Sequence, residues 1–138
     1  MKMSTTKFFR GICTEAELIE FFRQLTGDVF HDKIPKEAIA IPISKKRPDC
    51  HQVFGYDNNG VIQLQPKKTI MIGSLDCNIY PIDQVMRVKC RSKNGNEIIF
   101  ARDDVGGKFF IDLRQKSYGS FYLEAFKRVG IKIVCPAT

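Results

Sequence analysis

The chain has 138 residues, of which 43% are hydrophobic and 27% charged, a composition typical of one soluble globular domain and unlike that of a disordered protein. Its net charge of +7 favours association with anionic partners, whether nucleic acid, an acidic protein or a lipid surface. No apolar run approaches the length of a membrane helix and the N-terminus has no signal-peptide core, so we expect a cytoplasmic protein without a membrane partner.

The cysteine content indicates reduced thiols. The five cysteines are an odd number without a short-range pairing pattern, which fits free thiols better than a disulfide framework. No C-x-x-C pair occurs, and the adjacent Cys50 and His51 would point to opposite faces of a strand and coordinate one ion poorly. We therefore expect no metal and no cofactor. A Cys-His nucleophile that uses His31 or His51, both in loop-like sequence, stays open.

The first regular element predicted is a helix that begins after Thr14. Thr14 and Glu17 have the spacing of a capping box, in which each side chain accepts a hydrogen bond from the backbone N–H of the other residue. Apolar residues then recur at helical spacing, and Gly27 stands where a left-handed C-terminal cap is expected. The wide apolar stripe of this helix indicates that it packs on a sheet.

Residues 28–48 carry conflicting signals. The alternation of Ile39, Ile41 and Ile43 predicts a strand, and Pro42 places that strand at a sheet edge. The following KKRPD sequence at residues 45–49 reads as an exposed basic loop, which is only a weak signal for nucleic-acid binding.

A hairpin is predicted next. Residues 52–56 and 61–65 flank the turn sequence DNNG, which favours a tight two-residue connection. Further strands are predicted at residues 69–72 and 78–82. The middle of the chain is therefore nearly all β.

Residues 84–114 have the clearest periodicity and predict three consecutive strands joined by two tight turns. Asn94-Gly95 is typical of a type I′ turn, because both residues tolerate positive φ. A two-residue turn at that point sets the register, and residues directly opposite each other share a face of the sheet. The predicted pairs on one face are Arg91 with Ile98, Lys89 with Phe100 and Arg87 with Arg102.

This mixed basic and apolar face is the candidate functional site. Its cations could contact phosphates and Phe100 could stack on a base, so a nucleic-acid-binding module is one hypothesis. The same mixture suits a protein partner with an acidic surface, since arginine and aromatic residues supply much of the binding energy at protein interfaces. Lysines that lie over neighbouring apolar side chains would give the same pattern without a ligand. We place the protein partner first, because no RRM, KH, zinc-finger or helix-turn-helix signature is present.

Two patterns suggest catalysis but are better explained by turns. Asp103, Asp104 and Asp112 could act as paired carboxylates in hydrolysis or metal binding, yet Asp in a turn bonds its own backbone. Gly106-Gly107-Lys108 lacks the rest of the phosphate-loop motif. We therefore expect neither an enzyme nor a small-molecule substrate.

The C-terminal segment allows two interpretations. Residues 120–130 contain many helix formers, which favours a helix from about Tyr122 to Gly130, whereas residues 121–125 could also form a strand beside 109–113. Residues 131–135 predict a short closing strand. The chain is thus expected to be one α+β domain over residues 1–138, with a mainly antiparallel sheet of about five to seven strands. An N-terminal helix and, on the first interpretation, a C-terminal helix would pack on that sheet.

The run that begins at Ile98 also shows a strand, an Asp and Gly-Gly turn, a strand ending in Asp-Leu, and a Gly before an aromatic residue. The residues that carry this pattern are Asp103, Asp104, Gly106, Gly107, Asp112, Leu113, Gly119 and Tyr122. Over about a fifth of the chain it resembles the SUKH superfamily, which includes bacterial immunity proteins that bind and silence toxins, and related viral proteins. The resemblance implies a non-enzymatic protein that occupies or inhibits a macromolecular partner, and it implies a strand at residues 121–125.

Overall fold

Two antiparallel sheets and two helices form the described part of the chain. The computed structural model describes residues 6–28, 33–43, 50–92, 95–103, 105, 107–116 and 121–135, and of Cys50 and Phe121 the backbone only. The elements are β1 (Lys7–Cys13), α1 (Glu15–Thr26), β2 (Ala38–Ile43), β3 (Cys50–Asp57), β4 (Gly60–Gln63), β5 (Lys68–Ile72), β6 (Leu75–Pro81), a 3-10 turn (Ile82–Gln84), β7 (Arg87–Arg91), β8 (Glu97–Arg102), β9 (Phe109–Gln115), α2 (Phe121–Val129) and β10 (Ile133–Val134).

The main sheet contains seven strands in the order β10-β1-β9-β8-β7-β3-β4, and the smaller sheet has the order β2-β6-β5. Every strand pair in both sheets is antiparallel. The predicted α+β class, with a main sheet of up to seven strands and a helix near each end of the chain, is confirmed. The division of the strands into two sheets was not predicted.

Helix α1 begins and ends as its sequence predicts. The Thr14 hydroxyl accepts a hydrogen bond from the Glu17 N–H over 3.1 Å, and the Glu17 carboxylate accepts one from the Thr14 N–H over 2.9 Å. Gly27 ends the helix at φ 77° and donates its N–H to the Arg23 carbonyl. These local bonds satisfy backbone groups that a helix end leaves unpaired, so the ends of the helix are fixed by contacts within the helix itself.

The main core lies between one face of the seven-stranded sheet and the two helices. Phe21 of α1 stacks on Phe126 of α2 with 4.6 Å between ring centroids, and it meets Phe100 of β8 edge to face at 5.2 Å. All three rings are at most 1% exposed. These contacts join both helices to the centre of the sheet.

Helix α2 agrees with the helix propensity of its residues. Tyr122, Ala125 and Phe126 are buried at helical spacing, and Gly130 at φ 87° ends the helix with its N–H on the Phe126 carbonyl. The strand that the SUKH resemblance implies for residues 121–125 is therefore wrong. The reason is that the aromatic residues here follow a period near 3.6 and bury one helical face.

The small sheet packs between the main core and a second apolar cluster. Successive side chains of β2 point to opposite faces of the sheet. Ile39 and Ile41 therefore lie in the main core, and Ala38 and Ala40 lie in the second cluster. Strand β2 lies at the edge of its sheet, as Pro42 predicts.

Strand β1 was not predicted. Its residues pair with β9 along the whole length, from Lys7 opposite Gln115 to Cys13 opposite Phe109. Gly11 in its middle lies close to β10: an added Cβ would be 2.8 Å from both the Ile133 Cδ1 and the Lys132 carbonyl oxygen. A glycine inside an apolar run weakens the strand pattern in the sequence, and this close approach explains its presence.

The turn between β7 and β8 contains three residues and not two. The Ser92 N–H donates to the Asn96 carbonyl, the Gly95 N–H donates to the Ser92 carbonyl, and Gly95 has φ 85°. A three-residue turn with a left-handed final residue moves the register by one position relative to a two-residue turn, which turns every side chain of one strand to the other face. The observed pairs are Arg91 with Glu97, Lys89 with Ile99 and Arg87 with Ala101. The predicted register is therefore wrong, and Asn94 lies outside the described residues.

Candidate interaction surface

The face of the main sheet opposite the helices is here called the open face. Strand register places the following residues on it: Phe8, Arg10, Ile12, Gln52, Phe54, Tyr56, Val61, Gln63, Arg87, Lys89, Arg91, Glu97, Ile99, Ala101, Phe110, Asp112, Arg114 and Val134. Not one of these residues is buried. The sheet thus presents one side to the core and the other to solvent.

The six residues predicted for the site do not share this face. Arg87, Lys89 and Arg91 lie on the open face, where Arg87 and Arg91 are exposed and Lys89 is half-buried. Ile98 and Phe100 are fully buried in the main core and are unavailable to a partner. The mixed face predicted from the two-residue turn is therefore wrong in composition, because the one-residue shift exchanged Ile98 and Phe100 for Ile99 and Ala101.

Arg102, the sixth predicted residue, makes structural contacts. Its Nε donates to the Val85 carbonyl over 2.9 Å and its Nη2 donates to the Ile82 carbonyl over 2.8 Å. The same nitrogen lies 3.5 Å from a carboxylate oxygen of Glu15, and the guanidinium lies 4.5 Å from the centre of the Phe109 ring. These contacts occupy the guanidinium of Arg102. The side chain therefore joins the 3-10 turn to β8 and does not present a free cation.

An apolar row crosses the open face from β1 to β8. Ile12 lies directly opposite Phe110, and Phe110 lies directly opposite Ala101. Ile12 and Phe110 are 53% and 49% exposed, and Val134 on β10 is 50% exposed. Large apolar side chains adjoining one another on a solvent-facing sheet are a feature of interaction surfaces, whereas single exposed ones are ordinary.

Charged residues lie beside this row and farther along the same face, with an excess of cations. The open face carries Arg10, Arg87, Lys89, Arg91 and Arg114 against Glu97 and Asp112, a net charge of +3. Each carboxylate lies among cations. Glu97 is 3.1 Å from Arg91 and 3.8 Å from Lys89, and Asp112 is 3.6 Å from Arg10.

The residues that sequence reasoning missed lie mainly on β1 and β9. Phe110 lies two and four residues before Asp112 and Arg114 on β9, and this period of two already indicates that Phe110 shares their outward face within FFIDLRQ. Phe8 and Ile12 could not be placed, because β1 itself was not predicted. The Arg114 guanidinium lies 5.3 Å from the centre of the Phe8 ring and covers part of that ring.

The predicted acidic cluster is divided between two places. Asp112 pairs with Arg10 on the open face, whereas Asp103 accepts a hydrogen bond from the Val105 N–H within its own turn. Asp104, Gly106 and the basic loop at 45–49 lie outside the described residues. Among the residues that are described, no three His, Cys, Asp or Glu side chains come close enough to hold one metal ion.

Two buried thiols have raised pKa values. Burial, and to a smaller extent the charge of Glu17, raises the pKa of the Cys13 thiol to about 12. Burial, followed by the charges of Asp76 and Asp28, raises the pKa of Cys77 to about 11. Both thiols stay protonated at neutral pH, and a protonated thiol is a poor nucleophile. His51 lies within β3 and not in a loop, while His31 is outside the described residues.

No family model, no curated protein sequence and no solved structure matches the chain. Within the described ranges no helix is both long and apolar enough to cross a membrane.

Proposed function

We propose that this protein acts by binding, without catalysis, and that it occupies a protein partner with an acidic surface through the open face. The observation that carries the proposal is the arrangement of that face: an apolar row formed by Ile12, Phe110 and Ala101, in which Ile12 and Phe110 are exposed, on a face whose charged residues sum to +3. Protein interfaces have this organisation, with an apolar centre, a polar rim and an enrichment in aromatic residues and arginine.

The dimensions of the sheet support a macromolecular partner. Seven strands span six inter-strand spacings of about 4.8 Å, so the face is roughly 29 Å wide. A typical stable interface covers about 800 Å² on each partner. A sheet face of this width can supply a large part of that area. Binding of this kind would act by blocking the partner's own surface, as expected of an inhibitor or immunity-like protein.

The positions of the acidic residues favour protein over nucleic acid. Glu97 lies between the side chains of Lys89 and Arg91, and Asp112 lies beside Arg10, so a phosphate chain on these cations would also meet two carboxylates.

The experiment that tests the proposal is affinity capture with matched charge variants. Nuclease-treated extract of the source cells is passed over the wild-type protein and over a variant with Arg87, Lys89 and Arg114 all changed to Glu. The control variant carries the same three changes at Lys68, Lys127 and Arg128, which lie on β5 and α2 away from the open face.

We expect an acidic protein that the wild type and the control variant retain and the open-face variant loses, because only the open-face variant reverses the charge at the interface. Equal retention by both variants would overturn the assignment to the open face. In a parallel capture from extract without nuclease treatment, retention of nucleic acid alone, with affinity falling steeply as salt rises, would replace the protein partner by nucleic acid.

A further inference from the structure

Strand β4 forms one edge of the main sheet and carries neither a charged residue nor a proline that would hinder pairing with another strand. All four of its residues, Gly60–Gln63, are exposed, and none is charged or proline. Unprotected edges pair readily with other strands, because their outward backbone groups are unsatisfied.

The other three edges among the described strands each carry a protective feature. At the opposite end of the main sheet, β10 is only two residues long. In the small sheet, β2 contains Pro42, and β5 begins with Lys68 directly after Pro66 and Lys67. Very short length, proline and lysine are features by which natural sheets prevent edge pairing. Strand β4 has four residues, twice the length of β10, and it contains neither proline nor a charged residue.

The hydrogen bonds between β3 and β4 show which backbone groups of β4 are available. The Leu64 N–H donates to the Val53 carbonyl over 2.8 Å, so Leu64 directs its backbone groups towards β3. These directions alternate along an antiparallel strand. Gly60 and Ile62 therefore also point towards β3, and Val61 and Gln63 point their N–H and C=O groups outward.

We propose that β4 pairs with β4 of a second copy of this chain, in antiparallel orientation about a two-fold axis at Ile62. In this register Val61 of each copy lies opposite Gln63 of the other, and the two pairs exchange four backbone hydrogen bonds. An antiparallel pair about a two-fold axis preserves the faces of the sheet, so the two main sheets become one sheet of fourteen strands.

Charge and symmetry favour a second copy as the occupant of this edge. A positively charged chain of +7 repels itself in general, but β4 is uncharged, and the charges near its two ends have opposite sign. Asp57 lies at the turn before β4, and Lys67 follows it. Antiparallel pairing brings the Asp57 end of one copy beside the Lys67 end of the other. The proposal does not depend on the proposed function, because it uses the outward backbone groups of β4 and neither the apolar row nor the cations of the open face.

Cysteine cross-linking tests the register directly. At a two-fold axis through Ile62, the two Ile62 Cα atoms form a non-hydrogen-bonded antiparallel pair, about 4.5 Å apart, which a disulfide can bridge. The two Val61 positions are offset by two residues and lie roughly 8 Å apart, which exceeds disulfide reach. The exposed Cys135 is changed to Ser in every protein, so that it contributes no bridge of its own.

On oxidation we expect Ile62→Cys to form a covalent dimer, while the matched Val61→Cys variant and the Cys135→Ser background form no covalent dimer. A cross-link at Val61→Cys and not at Ile62→Cys would overturn the proposed register. No enrichment of cross-linked dimer at Ile62→Cys over the background would overturn the pairing.

Sedimentation equilibrium of the unmodified protein provides the second measurement. We expect the average mass to rise from the 15.8 kDa of one chain towards twice that value between about 10 µM and about 1 mM. Val61→Lys should weaken the association by at least about tenfold, since a lysine at this position places like charges close together across the two-fold axis. Val134→Lys, the same exchange at an exposed position of β10, should leave it unchanged. A monomer at every concentration, or equal effects of the two variants, would contradict the proposal.

Discussion

Arg102 donates a hydrogen bond from Nη2 to the carbonyl oxygen of Ile82 over 2.8 Å, and this bond joins the end of β8 to the 3-10 turn between β6 and β7. A second bond, from Nε to the Val85 carbonyl, makes the connection bidentate. The side chain is only 15% exposed, so both bonds lie in a region with little access to water. The residue therefore stabilises the fold.

We expect Arg102→Ala to lower the free energy of unfolding by about 2–4 kcal/mol, because it removes two charge-assisted hydrogen bonds between β8 and the 3-10 turn, although the Ile82 carbonyl keeps its bond from the Val85 N–H. Urea denaturation of the wild type and the variant measures the difference. Arg87→Ala, at an exposed position of the neighbouring strand, is the control and should change stability by less than about 0.5 kcal/mol. Equal effects of the two substitutions would show that Arg102 has no special structural role.

The Phe21 ring is expected to be among the largest contributors to stability. Phe21→Ala removes a side chain that is fully buried and contacts Phe100 on β8 and Phe126 on α2, so we predict a loss of about 3–5 kcal/mol. Phe8→Ala, at a ring that is 52% exposed on the open face, should cost less than about 1 kcal/mol. Thermal unfolding monitored by circular dichroism distinguishes these values, and a small effect of Phe21→Ala would contradict the described core.

Gly55 is expected to tolerate no side chain. A Cβ at this position would lie 2.5 Å from the Gln84 carbonyl oxygen and 2.9 Å from a Leu64 methyl group, so Gly55→Ala should destabilise the protein by about 1–3 kcal/mol. At Gly73 nothing lies within 4 Å, and Gly73→Ala should cost only the strain of its φ of 61°, about 1 kcal/mol. A costlier Gly73→Ala in urea denaturation would refute the close approach at Gly55.

The Cys13 thiol should make stability depend on pH in the alkaline range. Its pKa is raised from 9.0 to about 12 in the folded chain, so above pH 9 the unfolded chain loses this proton while the folded chain keeps it. Stability must therefore fall as pH rises from about 9 towards 12, by at most about 1.4 kcal/mol per pH unit for this thiol.

The measurement is urea denaturation at pH 8 and pH 10.5 in the presence of a reductant. We expect a smaller loss of stability between these two pH values for Cys13→Ala than for the wild type, because the variant has no thiol to ionise in the unfolded state. Lysine and tyrosine titration is common to both proteins and cancels in the comparison. An identical loss in the two proteins would contradict the raised pKa.

Helix ends and turns that are fixed by contacts between residues close in the sequence could be predicted from the sequence. The capping pair Thr14 and Glu17 defines the start of α1 by bonds that span three residues, and DNNG defines its hairpin through the bond from the Asn59 N–H to the Asp57 carboxylate. Both require no information from the rest of the chain.

The register of β8 could not be predicted in this way, because a distant contact takes part in it. Asn96 is buried, and its side-chain oxygen accepts a hydrogen bond from the Lys116 N–H over 2.7 Å. This bond joins the β7–β8 turn to the end of β9. It occurs together with the register that the three-residue loop gives. The predicted site was correct for the outward direction of Arg87, Lys89 and Arg91 and wrong for their apolar neighbours, and it lacked the contribution of β1.

The most direct test of the proposed function is the affinity of the captured acidic protein for variants of the open face, measured by isothermal titration calorimetry. We predict that Phe110→Ala and Ile12→Ala each raise the Kd by at least about tenfold, because these exposed side chains form the apolar centre of the interface. Lys127→Ala, on α2 at the other side of the sheet, should change the Kd by less than about twofold. Unchanged affinity for both open-face variants would contradict the account.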